Sequence, residues 1–213
     1  MLDSLLVWDN AIFLANGLLL TVEIAILTII CSILFGTILA IARNYDSGIL
    51  KKLATVYIEI VRNLPILLWI LAIRFLVPGN HLFLGILALT IFQSAIMGEI
   101  IRGGLNAIPK GQIESAESQG FSFFSMLIYI ILPQCFRHVV PALLSQMITI
   151  IKDTSLLWVV AIEEFTGKSM ILMGTCINTV QVFSLYAFMA VTYFIINFSL
   201  SLTVRSRVKK RIA

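Results

Sequence analysis

The sequence predicts an all-α, polytopic membrane protein, and three features carry that prediction. Hydrophobic residues fill 60% of the 213 positions and charged ones only 12%, whereas a soluble domain of this size exposes far more charge. The mean hydropathy is +1.02, and long runs with few charges recur, each sufficient for a helix across a hydrocarbon core of about 30 Å. Lysine and arginine collect at the ends of those runs, which reads as topology and gives no sign of a nucleic-acid partner. The ten-residue alternation of an outer-membrane barrel is absent from the sequence.

Met1 to Asn16 is mildly amphipathic, with Leu2, Leu5, Leu6 and Trp8 beside Asp3, Asp9 and Asn10. It is expected to lie on the outer surface, and its lack of base argues against a signal peptide. The first span runs over 17–42 and carries Glu23 near its outer end. Arg43, Lys51 and Lys52 mark the turn that follows. The second span covers 53–77 and is interrupted by Pro65. Pro78 to His81 forms a tight turn, and 82–101 is the third span. A polar stretch over 109–133 separates it from the fourth span, 139–160. A second polar interval holds Glu163, Glu164, Thr166 and Lys168, and the fifth span is 178–204.

Five spans place the termini on opposite sides, and the positive-inside rule chooses which. With the N-terminus outside, the inner segments hold Arg43, Lys51, Lys52, Arg102, Lys110, Arg137 and the basic tail from Arg205 to Arg211. The outer segments hold only Lys168. This bias predicts a cytoplasmic central stretch and a cytoplasmic C-terminus. No repeat, low-complexity tract or linker divides 1–213, which reads as a single domain.

The central stretch has its own local logic. Pro109 suits the first turn of a helix because its missing N–H has no partner there. Gly120 suits the left-handed residue just past the helix end. Between them fit roughly three turns of helix, with Ile113 and Ala116 on one face. Ser122 then caps a second, apolar helix starting at Phe123. A short helix set off by a glycine between membrane segments suits a soluble partner's grip; an ordinary surface loop helix is the bland alternative.

Glu114-Ser115-Ala116, then Gly120, then Ile130 and Leu132-Pro133 resemble the cytoplasmic loop motif E-A-A-x3-G-x9-I-x-L-P of binding-protein-dependent ABC importer permeases, with Ser115 replacing one alanine. Three further stretches resemble the polar amino-acid branch, whose members serve histidine, glutamate, glutamine, arginine or opines. Tyr57 to Pro65 resembles Y-I-E-x-x-R-G/N-T-P, with Leu64 replacing threonine. Ser94 to Gly104 resembles A-Y-x-x-E-I-x-R-G-G, with Ile96 replacing tyrosine. Lys152 to Leu156 resembles K-x-T-S-L.

The resemblance implies a type I ABC importer architecture in the bacterial inner membrane. Gly111, Glu114, Ser115, Ala116, Gly120, Ile130, Leu132 and Pro133 become the residues that couple to the ATPase. The implied partners are a cytosolic ABC ATPase dimer, a second permease, identical or related, and an extracytoplasmic amino-acid-binding protein, all around a lipid-embedded chain. No cofactor is expected on this chain; ATP and magnesium belong to the partner ATPase. The sequence agrees, since G-x4-G-K-[ST] occurs nowhere in it. Neither does a paired-histidine motif or a G-x-S-x-G elbow. Cys31, Cys135 and Cys176 show no metal or disulfide spacing.

Two other groups carry candidate roles. Glu59 with Arg62, and Glu99 with Arg102, are three residues apart, so each pair shares a helix face and can form an ion pair. Such pairs fix helix ends near the loop, or simply anchor at the interface. Arg74, near the outer end of the second span, can hold a carboxylate through two parallel hydrogen bonds; it can also snorkel or pair with Glu163 or Glu164. Those two glutamates in turn suit a substrate ammonium, or are solvated loop charges. The expected function is import of a polar amino acid, acidic ones favoured by Arg74, with glutamine, histidine and arginine open. An ATP-independent channel is the alternative class, though no selectivity-filter run is visible. A membrane-embedded enzyme is disfavoured by the missing nucleophile–base pair.

Overall fold

The computed structural model describes residues 8–212, with side chains described for 9–204. Among these residues every regular element is helical. Leu2, Asp3, Leu5 and Leu6 of the expected amphipathic start lie outside the described residues. From Trp8 onward that segment is no separate surface piece: α1 runs unbroken over Trp8–Tyr45. Gly17 does not interrupt it. Its bare Cα lies against Phe165, and an added Cβ would stand 3.1 Å from Phe165 Cα. The helix of the first span therefore begins before 17.

Leu64 takes an extended conformation (φ −104°, ψ 145°) ahead of Pro65, as the ring of a following proline requires. The expected second span is accordingly two helices, α2 (Ile49–Asn63) and α3 (Ile66–Leu76), bent by 107° at the break. After the turn, α4 covers His81–Asn106, beyond the expected end at 101. The short α5 is Lys110–Ser118.

The largest difference concerns the helix that carries the fourth span. It begins well before 139, at the Phe123 start that Ser122 marks: α6 (Phe123–Met126) passes into a π-helical turn over Leu127–Ile131 and continues as α7 (Leu132–Asp153). In a regular helix the Pro133 ring would clash with the carbonyl four residues back. The wide turn placed just before it absorbs that clash, and the helix continues. A 3₁₀ segment, Thr154–Val160, closes the span at a left-handed Ala161 (φ 61°). The second polar interval contains a helix of its own, α8 (Phe165–Met173), and α9 covers Thr179–Ile212. By length and composition four of the helical stretches can cross a membrane, or five if the bent α2–α3 pair counts as one.

Contacts group the chain into two compact units, each built from separated stretches. The first holds the chain up to Ile29, Ile66–Leu89 and the chain from Met147 on. Its core sets Ile24 of α1, Ile70 of α3, and Ala88 and Leu89 of α4 against Leu157, Val160 and Ile162. A second cluster packs Leu14 against Phe165, Leu172, Leu185 and Met189.

The second unit holds Ile30–Pro65 and Thr90–Gln146. Gly36 and Gly98 bring α1 and α4 together closely: a Cβ on Gly36 would lie 2.8 Å from Met97 Cβ and 2.9 Å from the Gly98 nitrogen. Small residues at helix contacts suit a lipid-embedded protein, where packing rather than water exclusion draws helices together. α1, α4 and α7 contribute residues to both units.

Candidate functional site

The α5 segment forms as its residues dictate. Pro109 (φ −60°, ψ 136°) is the N-cap itself rather than the first helical residue, and its carbonyl accepts Gln112 N at 3.0 Å. Gly120 has φ +80°, the left-handed conformation that ends the helix without a Cβ clash. Phe121 N then returns to Ala116 O at 3.1 Å. Ser122 caps α6 by accepting Ser125 N.

Along α5, Ala116 is buried, whereas Gly111, Glu114, Ser115 and Glu117 are exposed. Nothing lies within 4 Å of where a Cβ on Gly111 or Gly120 would sit. α5 is thus held by its apolar face and open along its polar one. Phe121, Phe123 and Phe124, which follow it, are also exposed. Ile130, Leu132 and Pro133 lie within the helix of the fourth span, whose π-helical turn packs against α5. Gln134 Nε2 donates to Gln112 Oε1 at 3.2 Å and ties α7 to α5.

A charge cluster forms in the same unit. Arg102 grips Glu99 with two bonds, Nε to Oε1 at 2.9 Å and Nη2 to Oε2 at 3.0 Å. Glu59 and Arg62 do not pair with each other. Glu59 receives Nη2 of Arg43 at 3.0 Å, and Arg62 stands 3.5 Å from Glu99 Oε2. Arg43 also donates Nη1 to Glu99 Oε1 at 2.6 Å. Its guanidinium therefore joins three helices, a role the sequence reading missed. The signal available was only a basic residue in the last turn of a span, which topology already explained. Tyr57 adds a neutral tie nearby, with its hydroxyl donating to Ile91 O at 2.8 Å.

The other unit holds the remaining candidates. Arg74, in the last turn of α3, lies 2.8 Å from His81 Nε2 through Nη2. The two glutamates have opposite environments. Glu163 is exposed and Glu164 is fully buried. Glu164 Oε1 accepts Gly167 N at 2.9 Å, which makes it the N-cap of α8. Its Oε2 accepts Thr21 Oγ1 at 3.0 Å and the Tyr193 hydroxyl at 3.2 Å. Burial pushes its carboxyl above the usual range, against the hydrogen bonds that pull it down. Both of its oxygens are thus engaged inside the protein. Among the described residues no cluster of histidine, cysteine, aspartate or glutamate is placed to hold a metal ion.

The family described as the binding-protein-dependent transport system inner membrane component matches residues 32–211. The chain is 40% identical to the probable glutamine ABC transporter permease protein GlnP of Bacillus subtilis, over 92% of this chain and 93% of that one. It is 32% identical to the glutamate/aspartate import permease protein GltK of an Escherichia coli O6:H1 strain, covering 94% of each. Among solved structures, an amino acid ABC transporter crystallised with histidines superposes at a TM-score of 0.81, with 27% identity and 95% of each chain covered.

Proposed function

The chain belongs to the family of binding-protein-dependent transport system inner membrane components and is a multi-pass inner-membrane permease of an amino-acid ABC importer; from that premise we propose that it imports a polar amino acid, acidic ones preferred, by alternating access driven through α5. The carrying observation is α5 itself, a nine-residue helix with one buried face and an exposed polar one. It is delimited by Pro109 and by the left-handed Gly120.

In this reading the N-terminus is outside and α5 faces the cytoplasm. Gly111, Glu114, Ser115, Ala116 and Gly120 seat one subunit of an ATPase dimer that holds the ATP and magnesium. Ile130, Leu132 and Pro133 brace that seat from within the fourth span. The whole chain acts as one permease domain and pairs with a second permease. A binding protein delivers substrate at the other face. Closure of the ATPases pushes the α5 helices together and turns the pathway outward. An absent nucleophile is no obstacle, because the permease transmits motion.

The preference for an acidic substrate rests on Arg74. Among the described residues the Arg74 guanidinium, near the outer end of α3, meets the His81 ring and the face of Phe75 but no carboxylate, so it is placed to take one from a substrate. For the substrate ammonium, Glu163 is the exposed partner, since the Glu164 carboxylate is occupied by Thr21, Gly167 and Tyr193.

The test is uptake of a labelled amino-acid panel into proteoliposomes holding this chain, its partner permease, the ATPase and the binding protein. ATP-dependent accumulation of glutamate or aspartate, cut at least about tenfold by Arg74→Ala, is the expected result. Accumulation of glutamine or a basic amino acid instead, with Arg74→Ala unaltered, removes the acidic preference. Flux down a gradient without ATP removes the importer.

A further inference from the structure

Four contacts make a frame around α5 in its unit. Gln134 of α7 holds Gln112 of α5. Cys135 of α7 donates its thiol to Ile101 O of α4 at 3.4 Å. Gly104 of α4 lies so close to α7 that an added Cβ would collide with Val139 and Cys135. Between Asn106 and Lys110 the chain is turned tightly, with Ala107 N on Gly104 O and Ile108 N on Leu105 O. A displacement of α5 would reach α4 and α7 over short distances. α1 and α2 are tied to α4 by the packing of Gly36 on Gly98, by the Tyr57 hydroxyl on Ile91 O, and by a cluster of charges.

The Arg102–Glu99 pair lies within α4, and Arg102 feels Glu59 of α2 without a direct ion pair to it. Arg62 is 3.5 Å from Glu99 and 43% exposed, at the limit of a hydrogen bond. Arg43 is different. From the last turn of α1 it reaches Glu99 of α4 at 2.6 Å and Glu59 of α2 at 3.0 Å, and it is only 19% exposed. A planar guanidinium offers donors in two directions at once; a lysine ammonium is a point charge on a flexible stem.

We propose that Arg43 is a positioning residue for coupling, the clamp through which α1 and α2 follow the movement that α4 receives from α5. This builds on the reading that α5 receives the ATPase. With the clamp intact, the three helices shift together. Without it, α4 moves against α1 and α2, and ATP is hydrolysed with less transport.

The experiment uses the full reconstituted importer and reads ATP hydrolysed per substrate accumulated. Arg43→Lys keeps the positive charge that orients the chain and favours the end of α1, but it cannot hold both carboxylates. It is expected to raise that ratio at least about fivefold, the lower end of typical coupling between sites, with unchanged membrane yield and melting temperature. Glu59→Gln, which breaks one arm at a half-exposed position, is expected to raise it less and to leave the protein folded. A wild-type ratio in both variants would overturn the proposal. So would equal falls in melting temperature and transport at constant ratio, which mark a merely structural residue. If the unaltered importer shows no ATP-dependent uptake, the α5 reading falls first and the clamp with it.

Discussion

Glu99 and Glu164 are both acids at helix contacts, one in each unit, and they are held by opposite chemistries. Three guanidiniums surround Glu99, on α1, α2 and α4, and the site stays partly open. Glu164 is held by a backbone N–H and two hydroxyls, with no exposure and, among the described residues, no cation paired to it. The first arrangement is a hub with Arg62 and Arg102 open to water. The second is a closed joint among α1, α8 and α9, where a lost partner can be replaced only from inside the protein. A glutamate in a membrane chain is thus not functional or structural by type. Its partners decide.

The widest expected gap follows from that difference. Glu164→Ala strands the Gly167 N–H and leaves Thr21 and Tyr193 only their second partners, Gly17 O and Thr166 Oγ1, and an unmet buried group costs about 1–3 kcal/mol. Glu99→Ala leaves Arg62 and Arg102 within reach of solvent and Arg43 still held by Glu59, a loss on the order of 1 kcal/mol. Thermal unfolding of the purified chain in detergent should therefore rank Glu164→Ala well below Glu99→Ala, and the reverse order would break the contrast.

A pH series sharpens it. Burial raises the folded-state pKa of Glu164 above its unfolded value. Its contribution to stability is then fully present below the unfolded value and fades as pH rises through the folded one. Glutamine does not titrate, so the melting temperature of Glu164→Gln, taken relative to wild type, should climb as pH rises above the ordinary carboxylate range. A flat or falling difference would mean that the hydrogen bonds outweigh burial.

The smallest effect is at an exposed neutral cap. Ser122→Ala removes the bond from Ser125 N and the one its hydroxyl donates to Ser125 Oγ, both exposed, worth about 0.5–1 kcal/mol at an N-cap. A loss as large as that of Glu164→Ala would show that burial is not what separates the two sites.

Residues that act over a few positions were legible. Pro109, Gly120 and Ser122 mark the ends of α5 and the start of α6, because a missing N–H, a missing Cβ and a short hydroxyl work within one helical turn. Pro65 announced a break for the same reason, though not the 107° bend that followed. The π turn at Leu127–Ile131, just ahead of Pro133, has no sequence mark.

By itself, then, the sequence determined the helical membrane class, the α5 segment with its delimiting residues, and the family motifs. Each depends on composition, on backbone sterics or on fixed local spacing. Only the tertiary structure decided that Arg43 reaches Glu59 and Glu99, 16 and 56 residues away, where helical spacing had offered Arg62 to Glu59. It also decided which of the adjacent Glu163 and Glu164 turns inward to Thr21, 143 residues distant. Side-chain spacing fixes which groups share a helix face. Which face meets another helix is settled by packing across the whole chain, at contacts such as Gly36 on Gly98 and Gly104 on Val139.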